Sequence, residues 1–275
     1  MKINLPESID LRHPEQYIFT IYFRPEWFSF SLYNPVEDDS FFYREIEKGK
    51  YADAFSHFKE LIFENDFFTF SFKKIQVMNH TAVFTYIPSL IFEEKYKQNF
   101  VKFLFSESVG KTLHHTLSTA GITILHQMPE EIYNFFHRTF VNPEIIHHSA
   151  PLIAYFQGKS KRTNAKQMIV NRNKRGMDIL CFANGTFLLG NHFKYDNLPD
   201  AVYYILFVWK QLKFNQLNDI LYLAGDPVSK KELQEKTSLY IHNILPVNIL
   251  PEAHFDPIDM RNIPFELAAL PLCEL

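Results

Sequence analysis

Residues 17–46 read YIFTIYFRPEWFSFSLYNPVEDDSFFYREI and contain three short runs rich in aromatic and β-branched residues. Segments containing proline, asparagine and acidic residues separate the runs. Aromatic and β-branched residues favour strands, and short turns place consecutive strands side by side. The stretch therefore predicts a meander of three antiparallel strands, at residues 17–23, 27–33 and 41–46.

Helical and strand patterns alternate after this meander. The apolar spacing predicts helices over residues 51–64, 90–105 and 129–140, and strands over residues 74–79, 82–87 and 122–127. Asp53 stands near the start of the first helix, where a carboxylate stabilises the helix dipole. The first part of the chain is thus predicted to be an α/β unit.

The same order of elements returns after residue 167. Strands are predicted over 168–170, 178–183 and 186–190, then a helix over 198–212, a strand over 220–225 and a helix over 229–241. Asn184–Gly185 favours a tight primed turn because both residues tolerate positive φ. Ser229 and Glu232 have the spacing of a capping box. The repeat predicts a duplicated α/β protein with halves at residues 1–150 and 151–275.

The composition narrows the class of protein. The chain has 275 residues and a net charge of −3, which lacks the excess of Lys and Arg that nucleic-acid binding needs. Two cysteines are too few for a disulfide framework. The start of the chain does not have the pattern of a signal peptide, and the longest apolar stretch, residues 201–208, is too short to cross a membrane. We therefore expect a cytoplasmic protein without a transmembrane segment.

Three antiparallel strands followed by alternating helices and strands, present twice in one chain, resemble the actin-like ATPase superfamily. This superfamily has a ribonuclease H-like fold and includes actin, Hsp70 and the sugar kinases. The segments Asp200–Tyr204 and Leu223–Gly225 are similar to those of an uncharacterised bacterial family with this fold. The resemblance implies a duplicated mixed sheet and no particular activity.

The resemblance also implies a nucleotide site, and the expected motifs are altered. The superfamily uses Asp-x-Gly turns, because carboxylates hold hydrated magnesium and glycine lets backbone N–H groups reach phosphate. Here the first turn contains Pro25 and no glycine, and Asn171 replaces the aspartate of the second. The adenosine motif keeps one glycine and has an acid at the other position. The sequence predicts a degenerate nucleotide cleft with the candidate residues Asn171, Lys174, Arg175, Gly225 and Asp226.

Other catalytic and metal-binding patterns are missing from the sequence. His114–His115 and His147–His148 are adjacent pairs, and adjacent side chains point in different directions, so neither pair is a natural chelate by itself. There is no Gly-x-Ser-x-Gly elbow, P-loop or Rossmann signature. Cys181 falls within a predicted strand, where burial is the default. We therefore predict no catalytic residue, no metal ligand and no cofactor.

Three functions stay open. The first is a noncatalytic scaffold that binds an unknown protein partner. The second is a divergent ATPase or phosphotransferase that uses ATP and magnesium, with Lys174 and Arg175 near phosphate and Asp178 near the metal. The third is a small-molecule binding module with its ligand between the two halves, where Trp27 is a candidate lining residue.

Overall fold

The computed structural model describes residues 2–24, 27–37, 40–46, 53–105, 110–173, 176–225, 227–247 and 263–273. These residues form two compact units. The first contains residues 2–116, Thr123–His148 and Ile263, and the second contains Leu117–Ile122, residues 149–247 and residues 264–273. The predicted division at residue 150 stays a prediction.

The strands and helices follow the predicted alternation. In chain order, the strands are β1 Ile18–Phe23, β2 Phe28–Tyr33, β3 Phe41–Ile46, β4 Lys74–Asn79, β5 Phe84–Pro88, β6 Lys111–Leu117, β7 Ile122–Met128, β8 Glu144–His147, β9 Gln167–Asn173, β10 Gly176–Ala183, β11 Thr186–Phe193, β12 Ile220–Gly225 and β13 Asn243–Pro246. The α-helices are α1 Ala54–Glu64, α2 Lys97–Leu104, α3 Glu130–Thr139, α4 Ser149–Ser160, α5 Leu198–Gln211, α6 Pro227–Thr237 and α7 Phe265–Ala269. Within the described ranges, no helix combines the length and apolar character needed to span a bilayer.

Each unit is built on a five-stranded sheet with the same topology. The first sheet has the order β3-β2-β1-β4-β8 and the second the order β11-β10-β9-β12-β13. In both sheets, the first three strands of this order are antiparallel to their neighbours. The last two strands run parallel to the third, which is β1 in the first sheet and β9 in the second. The predicted meander and its counterpart in the second unit are therefore confirmed. A further sheet has the order β5-β7-β6.

Phenylalanine rings fill the core of the first unit. The rings of Phe28 and Phe58 lie 4.6 Å apart and those of Phe30 and Phe68 lie 5.1 Å apart, both edge to face. Phe136, from α3, packs on the same cluster. Edge-to-face packing adds to the stabilisation that area burial provides, because the positive ring edge meets the negative face of its neighbour. The high phenylalanine content is thus explained by the core.

The core of the second unit is mainly aliphatic. Met168 and Val170 from β9 pack with Ile205 from α5 and Leu223 from β12. The side chain of Asn197 caps α5 by accepting a hydrogen bond from the Asp200 backbone N–H, so Asp200 belongs to the first turn of the helix.

Two predicted helices have different bounds in the structure. The helix expected over residues 90–105 is reduced to α2, which follows a 3-10 turn at Glu94–Tyr96. Leu90, almost fully exposed, takes no part in a buried helical face, so its apolar character misled the prediction. The other helix, α6, begins at Pro227 and ends at Thr237, since proline is well suited to a first helical position. Ser229 therefore lies inside α6, and the predicted cap is wrong.

Five elements were not predicted: β6, β8, α4, β13 and α7. The two strands β8 and β13 have four residues each, too few for a clear alternation. The helix α4 is buried along most of its length, so it has no polar face to reveal its period.

His126 on β7 is fully buried in the first unit. The side-chain nitrogen of Asn79 donates a hydrogen bond to the Gln127 carbonyl, which identifies it as the NH₂ group. The same nitrogen lies 3.0 Å from Nδ1 of His126, so Nδ1 accepts a second hydrogen bond from it. Burial disfavours the charged imidazolium and lowers the pKa of His126 from 6.5 to about 3. The folded protein therefore holds this ring neutral.

The first prediction concerns acid stability. Between pH 6.5 and about 3 the unfolded chain binds a proton at His126 that the folded chain does not, so this residue makes the free energy of unfolding fall as the pH falls. Its contribution to the slope is about 1.4 kcal/mol per pH unit. We expect His126→Asn to show a shallower loss of stability in urea titrations across this range, and the exposed control His137→Asn to match the wild type. Equal slopes for His126→Asn and wild type would refute the assignment.

The Asn184–Gly185 turn between β10 and β11 has the predicted geometry, with φ values of 49° and 77°. A Cβ at residue 185 would lie 2.5 Å from the Lys161 side chain. At Gly158 in α4, by contrast, a Cβ would meet nothing within 4 Å.

The second prediction compares these two glycines. Gly185→Ala places a Cβ on a left-handed residue and is expected to lower the free energy of unfolding by about 1–2 kcal/mol. Gly158→Ala lowers the backbone entropy of the unfolded chain and is expected to raise the free energy of unfolding by about 0.5–1 kcal/mol. Chemical denaturation of both variants measures the difference. A Gly185→Ala protein as stable as the wild type would contradict the turn geometry.

Candidate functional site

Two predicted nucleotide residues of the second unit, Asn171 and Gly225, lie at one edge of its sheet. Asn171 is near the end of β9, and Gly225 ends β12, which runs parallel to β9. In register, Ala224 pairs with Asn171 and Gly225 pairs with Arg172. The fold thus brings Asn171 and Gly225 together, while Lys174, Arg175 and Asp226 lie outside the described residues.

Gly225 is required by the packing of the backbone. Its φ is +104°, and a Cβ at this position would lie 2.2 Å from the carbonyl oxygen of Arg172. No side chain fits that distance, so β12 can approach β9 at this point only with glycine. The sheet itself therefore accounts for the residue, without a bound ligand.

Asn171 is paired with a carboxylate from the end of the chain. Its side-chain amide donates to Oε2 of Glu266 at 3.1 Å, and the two residues are 4% and 3% exposed. Glu266 is carried by α7, which packs on α4. The position where the superfamily places a magnesium-binding aspartate is thus held by an internal amide–carboxylate contact.

Arg172 is engaged by two neighbours of the same unit. Its Nε donates to the Tyr195 hydroxyl at 2.6 Å, and a terminal guanidinium nitrogen lies 3.2 Å from Glu232. The guanidinium also lies over the Tyr195 ring, 5.3 Å from its centroid. An arginine at this edge would suit a phosphate, but here its charge is balanced by Glu232.

Asp178, the metal candidate of the ATPase hypothesis, is also engaged within the second unit. Its carboxylate lies 2.8 Å from Nδ1 of His192 on the neighbouring strand β11, and both side chains are largely buried. A Cβ at Gly176 would lie 2.6 Å from the same imidazole, so glycine makes room for the pair. This carboxylate has a structural partner.

The first turn of the first unit carries an arginine between two aromatic rings. The Arg24 guanidinium lies 4.5 Å from the Tyr22 centroid and 4.4 Å from the Trp27 centroid, and it donates to the Tyr22 hydroxyl. Trp27 is half-buried against this arginine. Pro25 and Glu26 lie outside the described residues.

Histidines gather at the ends of two neighbouring parallel strands of the first unit. His80 follows β4, His147 ends β8, and Asn79 pairs with His147 in register. The rings of His80 and His148 stack with centroids 4.2 Å apart, and those of His147 and His148 are also 4.2 Å apart. The ring centroid of His126 lies 5.4 Å from that of His147. Local sequence patterns do not indicate this cluster, because His80 and His126 are distant in the chain from the pair His147–His148.

Neither cysteine is suited to nucleophilic chemistry. Burial raises the pKa of the Cys181 thiol and raises that of Cys273 to about 12. The reactive thiolate is therefore scarce at neutral pH.

Comparison with known proteins gives a family and a fold. Residues 6–244 match the family model described as "Protein of unknown function (DUF3822)". A crystal structure from Bacteroides thetaiotaomicron, of a protein with an actin-like ATPase fold and unknown function, is 30% identical in sequence with a TM-score of 0.83. The match covers 97% of this chain and 99% of that chain.

A more distant similarity extends to a protein complex. The structure of the PilM–PilN type IV pilus biogenesis complex matches with 14% identity and a TM-score of 0.54, over 94% of this chain and 98% of that chain. No curated protein matches the sequence significantly. The predicted actin-like fold is confirmed, and the chain belongs to the DUF3822 family of proteins of unknown function.

Proposed function

We propose that this protein is a noncatalytic scaffold that binds a protein partner and does not hydrolyse ATP. The observation that carries the proposal is the contact between Asn171 and Glu266 at the edge where a nucleotide-binding relative of this fold would hold magnesium. The Asn171 side chain directs its amide N–H group at this carboxylate, and an N–H donor cannot coordinate a metal ion.

The charges around this edge support the same conclusion. Phosphoryl transfer needs cations and metal ions directed at the transferring group. Arg172 is held by Tyr195 and Glu232, and Asp178 by His192. Each of these described side chains already contacts a partner within its own unit.

A protein with a similar fold is known in complex with a protein partner. In the PilM–PilN complex, a protein of this fold is assembled with another protein. In the present chain, Leu90 and Phe103 are 99% and 87% exposed. They belong to the 90–104 segment, which is anchored because its Phe92 and Phe100 pack on a small core. We assign the partner surface to this segment, since large exposed apolar side chains on an anchored segment suit protein association.

The third prediction is that nucleotides do not bind. We expect isothermal titration with ATP or ADP at millimolar concentration to give no binding heat, with or without magnesium. Magnesium-dependent binding would overturn the proposal and favour the ATPase or phosphotransferase alternative. In that case Lys174→Ala combined with Arg175→Ala should weaken binding.

The fourth prediction tests whether Glu266 is a structural partner. Glu266→Ala leaves the buried amide of Asn171 without this acceptor, and we expect the free energy of unfolding to fall by about 1–3 kcal/mol. The control is Glu235→Ala, which removes an exposed glutamate from α6 and should change stability by less than about 0.5 kcal/mol. Denaturant titration measures both. A gain in stability for Glu266→Ala would indicate a carboxylate kept for a ligand.

The fifth prediction concerns the partner surface. The double variant Leu90→Ser, Phe103→Ser removes the exposed apolar groups of this segment. The partner is first identified by crosslinking in the native cell, and we expect the variant to bind it at least tenfold more weakly than the wild type does. Val141→Ser is a matched control, because Val141 is 76% exposed elsewhere in the first unit. Unchanged affinity in the double variant would show that the partner binds another surface.

A further inference from the structure

We propose that one end of the second unit binds the surface of an anionic phospholipid bilayer. This end, which we name the basic end, consists of the loops at residues 161–166, 212–219 and 238–242 and of the last turns of the helices before them, α4, α5 and α6. It shares no residue with the proposed partner surface, and the inference does not depend on the proposed function.

The sheet of the second unit gathers the three loops at one edge. They lead into β9, β12 and β13, and these strands run parallel, so all three begin at the same edge. In register, Ile220 at the start of β12 pairs with Gln167 and with Asn243, the first residues of the two other strands. The His242 backbone N–H also donates to the Gln216 carbonyl at 2.9 Å. The three loops therefore form one surface.

Asp219 fixes two of the loops to each other. This residue is 7% exposed, and its carboxylate accepts hydrogen bonds from the backbone N–H groups of Lys166 at 2.7 Å and Asn215 at 2.6 Å. The Lys166 ammonium in turn donates to the carbonyl oxygens of Leu212 and Lys213. Carbonyl oxygens carry no net charge, so Lys166 still contributes a positive charge to the basic end.

Positive charge is concentrated at this end, although the chain as a whole carries −3. Each of the three helices has a lysine in its last turn, and the loops add four basic residues. The seven are Lys159, Lys161, Arg162, Lys166, Lys210, Lys213 and Lys236. These stretches contain only two acids, Asp219 and Glu235. A local excess of Lys and Arg is attracted to anionic lipid headgroups.

Three large apolar side chains lie exposed among these charges. Leu217, Leu239 and Tyr240 are 70%, 75% and 49% exposed. The Leu217 carbonyl accepts from the Asn243 side chain at 2.8 Å, which brings its loop beside the loop that carries the other two. At a bilayer surface, leucine enters the acyl boundary, tyrosine lies at the level of the headgroups, and Lys and Arg reach the phosphates.

This combination of side chains favours a membrane over other anionic partners. An acidic polypeptide or a nucleic acid would match the positive charges, but neither supplies an apolar phase for Leu217 and Leu239. A bilayer supplies both, and it is broad enough to contact three neighbouring loops at once.

The experiment is co-sedimentation of the full chain with lipid vesicles. We expect binding to vesicles of phosphatidylglycerol and phosphatidylcholine in equal parts, and no binding to phosphatidylcholine alone. Arg162→Ala with Lys210→Ala removes two exposed charges and should weaken binding by about tenfold or more, because each basic residue near an anionic surface strengthens binding roughly fivefold. The matched control, Lys73→Ala with Arg138→Ala, removes the same residue types from exposed positions of the first unit and should bind as the wild type does.

The exposed leucines are tested in the same assay. Leu217→Ser with Leu239→Ser should weaken binding to the anionic vesicles by about tenfold or more, because less apolar surface enters the bilayer. Val36→Ser with Val141→Ser is the control, since these valines are 84% and 76% exposed in the first unit. Equal binding of the leucine variant and the wild type would contradict the proposal.

A further measurement uses the wild-type protein alone, so it does not depend on the folding of a variant. Raising the salt concentration from about 0.1 M to about 1 M shortens the Debye length from about 10 Å to about 3 Å and should release the protein from the vesicles. The proposal is overturned if salt has no effect, if neutral vesicles bind equally well, or if the Arg162 and Lys210 variant binds as the wild type does. Binding to polyglutamate or to duplex DNA, without binding to the anionic vesicles, would also overturn it.

Discussion

The rest of the structure depends on the parallel pairing that joins each meander to the strands that follow it. In the second unit β12 pairs with β9, and in the first unit β4 pairs with β1 and then with β8. Parallel strands need crossover connections, so the intervening helices must lie on the faces of the sheet. The same pairing aligns the carboxyl ends of distant strands. Asn171, Gly225 and the histidines at the ends of β4 and β8 take their positions from that alignment.

The elements that the sequence predicts correctly are those with a clear local pattern. The runs of aromatic and aliphatic residues in β1, β2 and β12 and the apolar spacing of α5 predict these elements, because each pattern involves only neighbouring residues. The resemblance to actin-like proteins rested on this order of elements and on two short segments, and the comparison with the Bacteroides structure confirmed it. The candidate residues Asn171 and Gly225 were placed at one sheet edge, whereas the roles of Lys174, Arg175 and Asp226 stay predictions.

The contacts that complete the site could not be predicted from local patterns. Glu266 is 95 residues from Asn171, and its helix α7 has only five residues, so no periodic signal marks it. His80 meets His148 only because β4 and β8 are neighbours in register. Adjacent histidines were considered within single elements, while the relevant cluster combines two. Long-range register, and not residue type, was the missing information.

Gly225 has a consequence for how such chains are classified. Glycine at the end of this strand is an element of the adenosine motif, so a motif search would count it in favour of nucleotide binding. Here its role is to let the chain pass the carbonyl of Arg172. That steric demand persists whether or not a ligand is ever bound. The glycine is therefore a requirement of the sheet and carries no information about nucleotide binding.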